Sequence, residues 1–174
     1  MNNKEMASIF FNTATLLRSR EQANPYRIAA YERCGRALMG LRVDLGGVSE
    51  HTRVDLFHRR QHIGKGLHAK MTEMAVSGDL LQYAEMLAEL PEPVANLVRV
   101  PGVGPKTAER VYRSLGVDSA AGLVRAARDG RLRRVRGFGE KRTRTIAALE
   151  IDGVESPRAA VQASLFDGET LSIG

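Results

Sequence analysis

The sequence predicts an all-α fold of short helices and tight turns, and three observations carry that reading. Apolar residues recur at spacings of three and four, Asn, Pro and Gly stand where helices should start and stop, and no stretch alternates apolar with polar long enough to make a strand. The chain has 174 residues, room for one ordinary domain or two small ones with a real core.

Met6, Ile9, Phe10, Thr13, Leu16 and Leu17 share one face of a helix expected from residue 3 to about residue 20. Asn24 and Pro25 read as N-cap and first helical position of a second helix, whose face is marked by Ile28, Tyr31, Ala37 and Leu38 and which Gly40 ends. Short helices are expected at 53–60, 66–77 and 79–90, with Gly78 just past the end of the middle one. Five more are expected at 93–99, 105–115, 119–129, 131–136 and 140–150, punctuated by Gly116, Gly130, Gly137 and Gly139. After Ile151 the periodicity fails, and the pairs Asp152-Gly153, Ser156-Pro157 and Asp167-Gly168 read as turns or linkers, so 152–174 is expected to be an extended, mobile acidic tail.

Composition bounds the function. Hydrophobic residues at 43% and charged residues at 26% describe a folded protein rather than a disordered one. No apolar run approaches the ~20 residues of a membrane span. The lone Cys34 allows neither an internal disulfide nor a Cys-based zinc site, which suits a reducing compartment. These features point to a cytoplasmic protein. The net charge of +6 is unevenly spread: residues 97–149 carry 13 basic and 4 acidic side chains, net +9, against +1 over 1–96 and −4 over 150–174. Such a segment is either a phosphate-binding surface, which would place the protein at the nucleoid, or a solvated helix face.

A repeat decides between these. The segment from Val98 to Val111, with Pro101-Gly102-Val103-Gly104-Pro105-Lys106-Thr107 at its centre, recurs from Leu132 to Ile146 around Arg136-Gly137-Phe138-Gly139-Glu140-Lys141-Arg142. Each copy is a short helix, a Gly-apolar-Gly turn and a charged helix. The glycines permit the turn, Val103 and Phe138 plug into the core, and the second helix presents its N-terminus outward. The amides of Gly104, Lys106 and Thr107, and of Gly139, Lys141 and Arg142, are placed to cradle a phosphate at the positive end of the helix dipole, with Arg110 nearby. Two such copies constitute a helix-hairpin-helix signature and imply sequence-independent grip on a nucleic-acid backbone; the alternative is a packing or protein-contact unit.

On these residues the chain resembles the N-terminal part of the family X DNA polymerases over roughly residues 3–150. Asn3-Lys4-Glu5, the run from Asn24 through Pro25 and Tyr26 to Tyr31, and Ser77-Gly78-Asp79-Leu80 look like the small lyase-type domain of those enzymes, and Leu90 to Leu149 looks like the helix-hairpin-helix region that follows. The resemblance implies three parts: a lyase-like helical domain over 1–90, a tandem helix-hairpin-helix domain over 91–151, and the tail over 152–174. The strand-borne aspartates that hold two metals in a polymerase palm are missing, so polymerase activity is not expected.

The resemblance also implies a third hairpin at Gln61 to Met71, where Gly64 and Lys65 would contact DNA. Gln61 and His62 replace the Pro-Gly that the family carries there. On the next helix Lys70 falls at the position of the family's Schiff-base lysine, and Tyr31 matches another of its site residues, which implies a 5′-deoxyribose-phosphate lyase as the alternative function. That chemistry needs a neutral amine; Lys65 and His68 lie close in sequence, and Arg27 could approach from the preceding helix, to depress its pKa. Gly66 and Gln82 stand where the family carries supporting lysines. No required cofactor is implied, but the family's hairpins hold a monovalent cation, K+ or Na+, through backbone carbonyls, here those of Val100 and Val103. His58 and His62 are read as solvated or DNA-facing rather than zinc ligands. In the tail, Gln162-Ala163-Ser164-Leu165-Phe166 looks like the peptide by which bacterial repair and replication proteins bind the sliding clamp, with Gln162, Leu165 and Phe166 as anchors. The function expected first is a non-enzymatic, sequence-independent DNA-binding protein of bacterial repair or replication, acting at nicks, gaps or junctions.

Overall fold

The computed structural model describes residues 1–49, 51, 52, 56 and 63–151. Among these, eight α-helices and two short 3-10 turns are delimited, residues 51, 52 and 56 are also helical, and no strand is present. The helices are α1 (Asn3–Arg18), α2 (Pro25–Met39), α3 (Lys65–Ser77), α4 (Leu81–Ala88), α5 (Glu92–Val98), α6 (Pro105–Leu115), α7 (Ala120–Arg128) and α8 (Glu140–Ala147), with 3-10 turns at Leu45–Gly47 and Arg131–Arg134. Of the helix expected at 53–60 only residue 56 is described, and it is helical; the tail at 152–174 lies outside the described residues.

Local sequence signals set most helix ends. Asn2 and Glu5 form a reciprocal capping box: the Asn2 side chain accepts from the amides of Lys4 and Glu5 at 2.9 and 3.0 Å, and Glu5 accepts from the Asn2 amide at 2.8 Å. Asn24 caps α2 by accepting from the amides of Tyr26 and Arg27, with Pro25 in the first turn. Gly78 closes α3 in the left-handed region, φ 76°. The helix expected from residue 79 starts at Leu81, because side chains take the preceding amides: Asp79 accepts from Leu80 and Glu73 from Leu81. The helix expected over 131–136 is only a 3-10 turn, since Val135 extends (φ −85°, ψ 124°) to enter the next turn. The last helix stops at Ala147, where the Arg128 guanidinium donates to the carbonyls of Ala147 and Leu149 at 3.0 and 3.3 Å.

The chain divides into two compact units, Met1–Ala108 and Glu109 onward, and the division falls within α6. In the first, α1 and α2 form an antiparallel pair around Met6, Phe10, Tyr31 and Leu38. Gly35 makes that approach possible: a Cβ there would lie 2.8 Å from Cζ of Phe11, inside any real contact distance. Met71, Met74, Leu80 and Leu97 extend the same core. The second unit packs α8 and the 3-10 turn on α7, burying Val111, Leu123, Val124, Leu132, Phe138 and Ile146.

Candidate nucleic-acid interface

The repeated segments have the same turn. In the first unit the Val103 amide donates to the Val100 carbonyl at 2.9 Å across Pro101 and Gly102, with Gly102 at φ 81°. In the second unit the Phe138 amide donates to the Val135 carbonyl at 3.1 Å across Arg136 and Gly137, with Gly137 at φ 99°. Both are type II turns, which need φ > 0 at their third residue. The plug residues are buried, Val103 at 1% and Phe138 at 3% exposure.

The second glycine of each pair has a different role from the one the sequence suggests. Gly139 sits at φ −71°, ψ 171°, extended backbone open to any residue, and a Cβ there would meet nothing within 4 Å. At Gly104 a Cβ would meet only Asn12 Oδ1, at 3.0 Å. Turn geometry therefore requires Gly102 and Gly137 but neither Gly104 nor Gly139. What Gly139 provides is an uncovered helix start: α8 has no side-chain cap, whereas Asn2, Asn24 and Ser119 close α1, α2 and α7. The first-turn amides of a helix have no carbonyl one turn back, so an uncovered start presents donors and positive dipole to an anion. Lys106 and Lys141, second residues of α6 and α8, are exposed beside these starts. The Thr107 amide is a correction: it donates to the Gly104 carbonyl at 2.9 Å, so it is already engaged.

The bases of this region fall into three groups. Arg110, Arg128 and Arg142 point inward onto carbonyls. Arg110 Nη1 lies 2.5 Å from the Arg136 carbonyl, Arg142 Nη1 lies 2.9 Å from the Gly137 carbonyl, and the Arg142 guanidinium stands 4.9 Å from the Phe138 ring centre. Burial lowers the pKa of Arg142 from the ordinary guanidinium value. Arg113, Arg131 and Arg144 pair with Glu109, Asp129 and Glu140, each at 2.7 Å. The remaining bases, Arg99, Lys106, Arg125, Arg133, Arg134, Arg136 and Lys141, are exposed and form no ion pair among the described residues. The sequence marks Arg110 and Arg142 as phosphate contacts; the structure turns both guanidinium groups to the second hairpin itself, because those peptide carbonyls lie within their reach.

The third hairpin is described only from Ile63, and Gln61, His62 and His58 lie outside the described residues. Gly64 is extended (φ −70°, ψ 158°) and starts α3 without a side-chain cap, and Lys65 is exposed beside it. Lys70 is half-buried on α3. Tyr31 is 2% exposed, its hydroxyl donates to Gln82 Oε1 at 2.8 Å, and the Arg27 guanidinium lies 5.9 Å from its ring centre. The structure thus gathers Tyr31, Gln82 and Arg27, and among the described residues no hydrogen bond or ion pair joins Lys70 to them. The Val100 carbonyl, a proposed cation ligand, already accepts the Val103 amide and keeps one lone pair. Sequence reasoning missed Asn12 and Tyr83: Asn12 lies against Gly104 and donates to the Tyr83 hydroxyl at 2.9 Å, and no local pattern marks either. Gln162, Leu165 and Phe166 lie outside the described residues.

Residues 94–151 match the family described as SAM-like helix-hairpin-helix tandem. The chain is 29% identical over 118 residues to the DNA polymerase/3′-5′ exonuclease PolX of Bacillus subtilis (strain 168), which covers 68% of the chain and 20% of that protein. It is 30% identical over 135 residues to the Holliday junction branch migration complex subunit RuvA of Leptothrix cholodnii, covering 76% of the chain and 70% of that subunit. The chain therefore spans about a fifth of the length of the polymerase it matches.

Proposed function

Since residues 94–151 belong to the tandem helix-hairpin-helix family and the chain's hairpin region is related to that of the family X DNA polymerases, we propose that it binds DNA by the phosphate backbone without reading sequence. One observation carries the proposal: two type II turns, 35 residues apart, each deliver a glycine-led helix start flanked by an exposed lysine. A phosphate oxygen accepts from the first-turn amides, the dipole favours its charge, and Lys106 or Lys141 adds a cation. Amides and lysines that bind phosphate carry no sequence information, so affinity would follow backbone geometry. The names of both relatives place them on DNA, one in synthesis and one at a four-way junction, which supports a role in repair or replication at gaps, nicks or junctions.

Binding of the full chain to single-stranded, duplex, gapped and junction DNA tests this. With about four or five phosphates neutralised, log K falls against log salt with a slope near −4. Salt-independent binding, or a strong preference among sequences of one shape, refutes it.

The lyase reading is supported by the half-buried placement of Lys70 on a helix that opens at Gly64 without a side-chain cap. Its neutral amine would condense with the sugar aldehyde and lose water, and borohydride would reduce the resulting imine to a stable amine link. A trapped adduct that Lys70→Ala abolishes supports the lyase; no adduct at neutral pH removes it. Two further proposals rest on the sequence. Val100 and Val103 carbonyls hold K+ or Na+ at the first hairpin, and exchange of K+ for a bulky quaternary ammonium would then weaken DNA binding. Gln162, Leu165 and Phe166 anchor a bacterial sliding clamp, and a peptide of this segment should bind it with a Kd of about 1 µM, or −8 kcal/mol.

A further inference from the structure

The two hairpins share a turn, and at the second one two arginines reach its carbonyls. With an offset of 35 residues, Val100 corresponds to Val135, Gly102 to Gly137, Lys106 to Lys141, Thr107 to Arg142 and Arg110 to Thr145. At the second hairpin the two central peptide carbonyls, of Arg136 and Gly137, each face a guanidinium: Arg110 from α6 and Arg142 from α8. Arg142 also lies over the buried Phe138 ring, so its head is held from both sides. The first hairpin has Thr107 in place of Arg142, and Arg110 has no counterpart on α8, where Thr145 instead bonds the Lys141 carbonyl at 3.0 Å.

We propose that Arg110 and Arg142 are positioning residues of the second hairpin: they hold the turn by its carbonyls so that the start of α8 is preset for phosphate, and they do not themselves contact DNA. The inference rests on the DNA-binding reading for its functional consequence but not for its structural one. A charged donor on a carbonyl is stronger than a neutral one, and it fixes the peptide planes that aim the α8 amides. A preset site loses less freedom when it binds.

Two readouts on the full chain separate a positioning role from direct contact. A base that touches phosphate releases a counterion, so Lys141→Ala lowers the salt slope by about 1. Arg110→Ala and Arg142→Ala should each weaken binding about tenfold while leaving that slope unchanged. In the DNA-free protein, amide exchange at Phe138, whose N–H closes the turn, should quicken at least tenfold in Arg110→Ala. The Val103 amide of the first hairpin should keep its rate. A drop in slope matching that of Lys141→Ala would make the arginines DNA contacts and overturn the assignment. Equal acceleration at Phe138 and Val103, or none at Phe138, overturns it as well. If the wild-type chain binds no DNA, the functional reading fails while the exchange measurement still decides whether the arginines hold the turn.

Discussion

Gly137 and Gly139 are two residues apart and should respond to alanine differently. At Gly137, φ is 99°, and a Cβ would also stand 3.3 Å from Arg110 Nη1. Forcing an L-residue into that region costs about 1–3 kcal/mol, which for a chain of this size lowers Tm by roughly 2–12 °C at about 2–4 °C per kcal/mol. At Gly139 the backbone is already ordinary and the space is open. Alanine there restricts the unfolded chain, worth about 0.4–1 kcal/mol, and caps α8 less well than glycine by a similar amount, so Tm should stay close to that of the wild type. The same methyl group projects where a phosphate would approach, so DNA affinity should fall about tenfold, or 1.4 kcal/mol, for every sequence alike. Thermal melts by circular dichroism and anisotropy titrations on a labelled gapped duplex at one fixed salt concentration measure both quantities. If Gly139→Ala melts several degrees lower, the glycine is structural. If it melts as expected but binds DNA as tightly as the wild type, α8 does not receive the phosphate.

Other expectations concern the core. Phe138→Ala removes the plug and the ring beneath Arg142, and should cost about 3–5 kcal/mol in denaturant titration. Gly35→Ala drives a methyl into Phe11 and should destabilise, while the pair with Phe11→Ala should cost less than the two singles summed. Burial pushes the Cys34 thiol up to about 12 from its ordinary 9.0, so iodoacetamide at pH 8 should label it only after unfolding in urea. Between those two values the folded state keeps a proton that the unfolded chain releases. That contribution to stability is therefore full below pH 9 and is lost as pH rises toward 12.

Features that depend on neighbours in sequence were legible in the chain. Asn24-Pro25 and Gly78 set helix ends as their backbone preferences dictate, and the Gly-apolar-Gly repeats gave both turns and both buried plugs. Features that depend on direction in space were not. The sequence shows that Arg110 and Arg142 are charged, but not that peptide carbonyls lie closer to them than solvent. It assigned one purpose to both glycines of each pair, although only φ separates Gly137 from Gly139. Arg128 shows the same limit. It belongs by composition to the basic surface, yet two of its nitrogens are committed to the end of α8. Tyr31 was matched by its place in the run from Asn24, whereas the partner of its hydroxyl, Gln82, lies 51 residues away.

The bare start of α8 also has an evolutionary consequence. Ser and Asp are better N-caps than Gly by a few tenths of a kcal/mol, and many glycine codons become serine or aspartate codons by one base change. At position 139 such a change meets no steric obstacle. It would tighten the helix while placing an oxygen, or a full negative charge, on the amides that an anion would use. Purifying selection for fold stability alone therefore would not preserve this glycine and would favour its loss. Its retention in descendants would track the ligand, and lineages released from that ligand would be expected to fill the site first.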